Sequence, residues 1–244
     1  MMKTDIAKIL NNECIGKDVY QMTLQTSIAK DVVCGQFVEV EVPGFFLRRP
    51  ISVCEVTDDE TIVLVYKVVG QGTEYMSQMN EKTVSLFGPC GNAFPVEEKE
   101  VLLIGGGVGV PPLLETAKQY QKKNQKITVV LGFNTKEDVI LLDAFKAITE
   151  NVYLATMDGS VGTKGTVLDA IKENQVDCQY VLSCGPLPML KAINNQYKEG
   201  CISLEARMAC GMGACMGCVV KDTDGNSLRV CKDGPVFPIG KVVL

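Results

Sequence analysis

The chain has 244 residues, 46% of them apolar and 22% charged, with a net charge of −5, eleven cysteines and no histidine. Domains hold about 100–200 residues, so this length accommodates two domains and an appendage, and the apolar fraction excludes the disordered class. No Lys/Arg cluster is available to neutralise a phosphate backbone, and no run of about 20 apolar residues could span a bilayer. Nucleic acid and membrane are therefore not expected partners. Residues 1–10 lack the apolar core of a signal peptide, and a cytoplasmic chain is expected. An odd number of scattered cysteines is not a secreted disulfide framework. Without histidine there is no Ser–His or Cys–His nucleophile pair, no His-ligated zinc and no imidazole proton shuttle. If the protein is an enzyme, a cofactor carries the chemistry.

In chain order, the first third reads as β. Val38 to Val42 alternates apolar and polar residues, and Thr61–Val69 and Thr83–Phe87 are rich in β-branched residues. Turn signals at Pro43-Gly44, Gly70, Gly88-Pro89 and Gly91 predict a small antiparallel barrel over residues 1–97. The charged stretch Val96–Glu100 marks a boundary. After it, strands at Val101–Ile104, Ile127–Leu131, Val152–Thr156 and Tyr180–Cys184 alternate with helices at Pro111–Lys122, Asp138–Ile148, Thr166–Glu173 and Pro188–Lys198. This alternation predicts an α/β domain with a parallel sheet over residues 98–199. Residues 200–244 hold five cysteines and little helical periodicity, and form a third, small subdomain.

Within it stands a C-x4-C-x2-C run, Cys210, Cys215 and Cys218, followed by Cys231. This is the plant-type spacing of four thiolates on a [2Fe–2S] cluster. Gly211, Gly213, Ala214 and Gly217 are small enough to let backbone N–H groups approach the sulfurs. A structural zinc site is the alternative, although such sites more often carry two C-x2-C pairs. Cys14, Cys34, Cys54, Cys90, Cys178 and Cys201 show no ligand spacing and are expected to be small buried hydrophobes.

The segment Leu47-Arg48-Arg49-Pro50-Ile51-Ser52-Val53 resembles the Arg-x-Tyr-Ser flavin motif of the ferredoxin reductase family; Arg49 and Ser52 match, and Ile51 replaces the tyrosine. The resemblance implies that Arg49 meets the FAD diphosphate, and that Pro50, Ile51 and Ser52 lie beside the ring. The stretch Tyr66-Lys67-Val68-Val69-Gly70-Gln71-Gly72-Thr73 is similar to the family segment that lines the flavin. Tyr66, Lys67, Val68, Gly72 and Thr73 complete the implied FAD set. A surface arginine and a plain turn are the bland alternatives.

Gly105-Gly106-Gly107-Val108-Gly109-Val110-Pro111-Pro112 follows a strand and opens a helix. It is not a true G-x-G-x-x-G motif, because Val110 or Pro112 falls at the third glycine. It does resemble the family's nicotinamide-nucleotide loop, with Gly105, Gly106, Gly107 and Gly109 as the contacts. Cys184-Gly185-Pro186 is similar to the family's Cys-Gly-Pro motif beside the nicotinamide; a buried cysteine and a turn would read the same way. Phe133-Asn134-Thr135-Lys136 offers no arginine for a 2′-phosphate, which favours NAD. Asp158-Gly159-Ser160 is expected to loop over the same crevice or to form a surface turn.

Across its whole length the chain resembles one branch of this family, the electron-transfer subunits of NAD-dependent (class 1B) dihydroorotate dehydrogenases. Ser203 to Cys215 carries the most specific part of that likeness. It implies FAD, a [2Fe–2S] cluster and NAD, and an FMN-containing catalytic subunit as partner in a heterotetramer of two of each chain. Two alternatives stay open: a reductase subunit of a hydrogenase or ferredoxin-transhydrogenase complex, and a zinc- or cluster-stabilised redox-sensing binding protein. Met208, Met212 and Met216 are expected to form an apolar shell, either packing the cysteine loop or docking the partner.

Overall fold

The computed structural model describes residues 2–79 and 82–244. Six antiparallel strands occupy the first third: β1 (Lys3–Gly16), β2 (Val19–Gln25), β3 (Phe37–Val40), β4 (Arg49–Asp58), β5 (Thr61–Lys67) and, after the short helix α1 (Gln71–Ser77), β6 (Thr83–Cys90). They close into a barrel in the order β1-β2-β5-β4-β3-β6. Met22, Leu24, Val38, Val40, Ile62, Leu64 and Leu86 point inward and are fully buried. The 14-residue β1 was not among the expected strands. Its sequence is too polar to announce itself, and what makes it a strand is pairing on both sides, with β2 and β6. Cys14 lies on it and is exposed, contrary to the expectation of a buried cysteine.

The second layer comprises β7 (Val101–Gly106), α2 (Pro112–Lys122), β8 (Ile127–Phe133), α3 (Leu142–Lys146), β9 (Val152–Thr156), β10 (Thr163–Lys164), α4 (Val167–Glu173), β11 (Tyr180–Cys184), α5 (Leu187–Gln196) and β12 (Glu199–Ser203). All of β7 is buried, as a parallel strand covered on both faces must be. Pro112 starts α2, where a missing N–H costs nothing. Thr166 and Asp169 close a capping box at the start of α4. The helix expected over 138–148 is confined to α3. Asp138 caps a 3-10 turn from Thr135, Val139 is extended, and Leu141 is left-handed at φ 60°, so one continuous helix cannot form.

The third region adds the hairpin β13 (Val219–Lys221) and β14 (Ser227–Arg229) and the strand β15 (Val236–Pro238). The sheet runs β10-β9-β8-β7-β11-β12-β15, parallel except for β15. The cysteine segment thus leaves the sheet after Ser203 and rejoins it at Val236. Barrel and sheet are joined by α2, whose buried Glu115 accepts the Val56 N–H at 3.0 Å while Lys118 pairs with Glu55. No helix among the described residues is long and apolar enough to cross a membrane.

Candidate functional site

Strand order places the first part of the site. From β7 the chain winds outward through β8, β9 and β10 on one side, then returns to place β11 and β12 on the other. The switch point is the β7/β11 pair, and ligands of such sheets bind in the crevice outside the carboxyl ends of these strands. Both nucleotide motifs end there, with Gly105 paired to Cys184. They also pack on one another. A Cβ on Gly106 would stand 2.7 Å from Met189 Sδ and 2.8 Å from Pro186, and one on Gly109 only 2.5 Å from the Cys184 carbonyl group. A Cβ on Gly185 would stand 3.0 Å from the Gly106 nitrogen. Gly107 differs: it is left-handed at φ 53°, with nothing within 4 Å of its Cβ position. It is the open point of the loop, and residues 107–109 lie against β5 of the barrel. Burial pushes the Cys184 thiol up to about 12, against a hydrogen bond from Ser203, so it is a neutral thiol. Asp158-Gly159-Ser160 forms a turn whose Ser160 hydroxyl accepts the Lys136 N–H at 2.7 Å. It therefore lies over the end of β8, one strand from the switch point.

The second part is the barrel rim. The two adjacent arginines have different tasks. Arg48 pairs with Glu41 at 2.6 Å and donates to Ser85, which ties β6 to the β3–β4 connection. Arg49 stacks on the Phe45 ring at 4.9 Å and donates to the Leu47 carbonyl. Its guanidinium lies directly over Gly72, where any Cβ would overlap it. The two halves of the flavin-like signature thus meet at one point, Arg49 on Gly72, 23 positions apart. Thr73 commits its hydroxyl to the start of α1, accepting from Val69 N at 2.9 Å and donating to the Gly70 carbonyl at 3.0 Å. That leaves the first-turn N–H groups beside Arg49 without helical acceptors. Pro50, Ile51, Ser52, Lys67 and Val68 are half-buried along β4 and the end of β5. Tyr66 is 3% exposed, stacked on Tyr20 and hydrogen-bonded to Asn12, so its side chain belongs to the barrel core.

The third part is the cysteine loop. Gly211, Gly213 and Met216 take left-handed φ values of 63°, 83° and 59°, which wrap the chain tightly. Ala214 N and Cys215 N point at Cys210 Sγ at 3.3 and 3.4 Å; Gly217 N points at Cys215 Sγ and Cys231 N at Cys218 Sγ, each at 3.4 Å. Burial opposes ionisation of Cys210, but the N–H groups of Cys215, Met212 and Ala214 outweigh it and lower its thiol to about 6. Burial and the neighbouring Cys218 raise Cys231 to about 12. The sulfurs stand as the pairs Cys210/Cys215 and Cys218/Cys231. Among the described residues they are not drawn together on a single point. Four cysteines on one loop and its β14 return, with N–H groups directed at sulfur, fit an iron–sulfur cluster. Met212 and Met216 are exposed, whereas Met208 packs on the core beneath.

Three residues of this region were not singled out in the sequence. Asn92 latches the barrel to the cysteine subdomain, donating to the Val236 carbonyl at 2.8 Å and accepting the Val236 N–H at 3.0 Å. Arg229 pairs with Asp233 and donates to the Gly213 carbonyl at 3.1 Å, bracing the loop. Glu39 on β3 is 1% exposed beneath Gly211. The alternation of Val38–Val42 puts it with Glu41 on the polar face of the strand, and nothing in that pattern sets the two apart.

Comparison with known proteins gives this geometry a family. The iron–sulfur cluster binding domain of dihydroorotate dehydrogenase B matches residues 205–243, and the oxidoreductase NAD-binding domain matches residues 103–195. The structure of an NADH-dependent reduced ferredoxin–NADP oxidoreductase superposes with a TM-score of 0.88 at 32% identity, over 97% of this chain and 89% of that one. Phthalate dioxygenase reductase shares the fold at a TM-score of 0.68 and 18% identity, over 97% of this chain and 77% of that one. The dihydroorotate dehydrogenase B (NAD(+)) electron transfer subunit of Fusobacterium nucleatum is 43% identical over 97% of both chains, and that of Bacillus mycoides 42% identical over the whole of both. With identity at that level from end to end, this chain belongs to the family of dihydroorotate dehydrogenase B (NAD(+)) electron transfer subunits.

Proposed function

We propose that this chain carries electrons from an FMN-containing, dihydroorotate-oxidising catalytic subunit to NAD⁺, in a cytoplasmic complex of two of each chain. The observation that carries this reading is adjacency. The cysteine loop rests on β3, β3 pairs with the Arg49–Ser52 segment, and the nucleotide loop lies against β5 of the same barrel. One-electron and two-electron exchange would come from the bound [2Fe–2S] cluster and FAD, respectively. The chain's own residues hold, orient and shield.

Arg49 would hold the FAD diphosphate, because a guanidinium fork matches phosphate oxygens and Gly72 leaves the space in which it lies. Pro50, Ile51, Ser52, Lys67 and Val68 would flank the ring; Tyr66 would contribute only backbone. Cys210, Cys215, Cys218 and Cys231 would hold the cluster, and the N–H groups directed at their sulfurs would offset thiolate charge. Gly107 would admit the nucleotide, with Gly105, Gly106 and Gly109 fixing the loop and Cys184-Gly185-Pro186 its far wall. Cys184, neutral, would pack beside the nicotinamide rather than attack it. Exposed Met212 and Met216 would meet the partner with adaptable apolar contacts. With no histidine here, proton transfer to and from dihydroorotate would fall to the other subunit.

The test is anaerobic isolation of the tagged chain with its co-purifying partner. Dihydroorotate is expected to bleach the flavin and cluster absorbance, and NAD⁺ to restore it. Bleaching by NADH with no response to dihydroorotate would move the chain to another complex. The likeness to the NADH-dependent ferredoxin–NADP oxidoreductase keeps that second reading in view.

A further inference from the structure

Glu39 is an anomaly by the ordinary rules of burial. Neither carboxyl oxygen has a hydrogen-bond partner among the described residues, and the side chain is shut off from solvent. Such a group destabilises a fold unless something else uses it. The barrel does not. Val38 and Val40 on either side fill its core, and residue 39 points to the opposite face of the strand. Glu41, two positions on and on the same face, is exposed and paired with Arg48. Arg48 donates to the Glu39 backbone carbonyl, to Glu41 and to Ser85, but not to the Glu39 carboxyl. Burial pushes that carboxyl up to about 7, against the pull of Arg48 and Arg49 and with the Cys210 thiol adding to the rise.

What Glu39 faces is informative. In the β3–β4 ladder it stands opposite Pro50, and Phe37 stands opposite Ser52. Directly opposed residues share a face, so Glu39 lies on the same face as Pro50 and Ser52. The cysteine loop covers that face. Gly211, left-handed at φ 63°, brings its backbone so close that a Cβ there would be 2.7 Å from Glu39 Oε1. The backbone of β3 is spent on its ladders with β4 and β6, which leaves the loop as the source of partners for the carboxyl.

We propose that Glu39 is a positioning residue for the iron–sulfur centre: its buried carboxyl group, unpartnered among the described residues and pressed against Gly211, is placed to accept N–H groups of the Cys210–Gly213 segment when that segment closes on a cluster, fixing it against the flavin strand and thereby tuning how readily the cluster accepts an electron. This rests on the cluster and flavin reading above. Glu39→Gln keeps the shape and hydrogen-bonding capacity; Glu39→Leu keeps the bulk and removes both polar atoms. Each is made in the full complex, and iron, sulfide and FAD are counted before an EPR-monitored redox titration. Glu39→Gln is expected to match wild type. Glu39→Leu is expected either to lose the cluster or to change its reduced-to-oxidised ratio at fixed potential at least tenfold, about 59 mV for a one-electron couple, with an altered EPR line shape. A Glu39→Leu protein with wild-type midpoint and line shape would overturn the proposal. So would a Glu39→Gln protein displaced as far as the leucine variant, since charge alone would then be at work. A wild-type complex without iron and sulfide would instead sink the cluster reading itself.

Discussion

Glycines are crowded both in the loop after β7 and in the cysteine loop, but only in the cysteine loop are the crowded glycines also left-handed. Gly106 and Gly109 are pressed against Pro186, Met189 and the Cys184 carbonyl, so any side chain would collide with the protein itself. Gly211 and Gly213 take conformations that L side chains resist, and the turns they allow aim N–H groups at sulfur. The first loop is rigid because it is packed from outside. The second gets its form from its own turns and from the Arg229 brace. For a nucleotide docking at this loop as proposed, Gly107 would be the open point of an otherwise packed wall. A resident cluster needs a wrapping that follows its ligands.

The largest expected effect separates the loops by cofactor. Cys215→Ser should bring iron and sulfide per chain close to zero while FAD stays stoichiometric. Full electron transfer to the partner in that variant would remove Cys215 from the ligand set. Gly109→Ala comes next, because the new methyl group meets backbone that cannot rotate away. Overpacking of this kind costs about 1–3 kcal/mol, to be read by urea denaturation, and NADH binding should weaken with it. Unchanged stability would mean that the β7 loop is not packed from outside at all.

Gly72→Ala tests the barrel rim by contrast. Here the methyl group meets the end of the flexible Arg49 side chain, so the fold should hold while FAD affinity falls about tenfold, roughly 1.4 kcal/mol. Fluorescence titration of the apoprotein with FAD would read it, and a wild-type affinity would detach Arg49 from the diphosphate. Gly107→Ala introduces no clash, only a left-handed alanine, and should cost about 1 kcal/mol of thermal stability. A loss as large as that of Gly109→Ala would erase the distinction between them.

The smallest effect is an acid one in the cysteine subdomain. Hydrogen bonds from Asn226, aided by Lys241, lower Asp222 from its ordinary 3.8 to about 2. A carboxyl depressed in the folded state stabilises above its ordinary value and loses that contribution as pH falls. Stability should therefore decline between about pH 4 and pH 2, and Asp222→Asn should flatten that limb of a pH–denaturation profile.

The motifs were legible in the sequence because each is local. Cys210, Cys215 and Cys218 lie within nine residues, Gly105 to Gly109 within five, and Cys184 to Pro186 are contiguous. The parallel sheet was legible for a similar reason, since buried parallel strands are continuous apolar runs. What escaped was set by distant neighbours. β1 is a strand because β2 and β6 flank it, and Cys14 is exposed because that part of β1 faces outward. The expected helix at 138 was broken by Leu141, a residue whose left-handed conformation no propensity announces. Tyr66 was expected among the flavin contacts, and only the fold shows that its side chain is enclosed by the barrel, which leaves its backbone for that role.

Residue chemistry and spacing by themselves pointed to the proposed cofactor-bearing segments and to a barrel followed by a parallel sheet, and the barrel and the sheet are what the fold shows. Only the tertiary structure decided that Arg49 covers Gly72, that Asn92 latches the cysteine subdomain to the barrel, and that Glu39 is buried while Glu41 is not. The physical reason is that a ligand spacing belongs to the chain, whereas burial belongs to whatever folds over it. Glu39 and Glu41 are equivalent in the strand pattern, and it is the cysteine loop, some 170 residues further along the chain, that seals one of them from water.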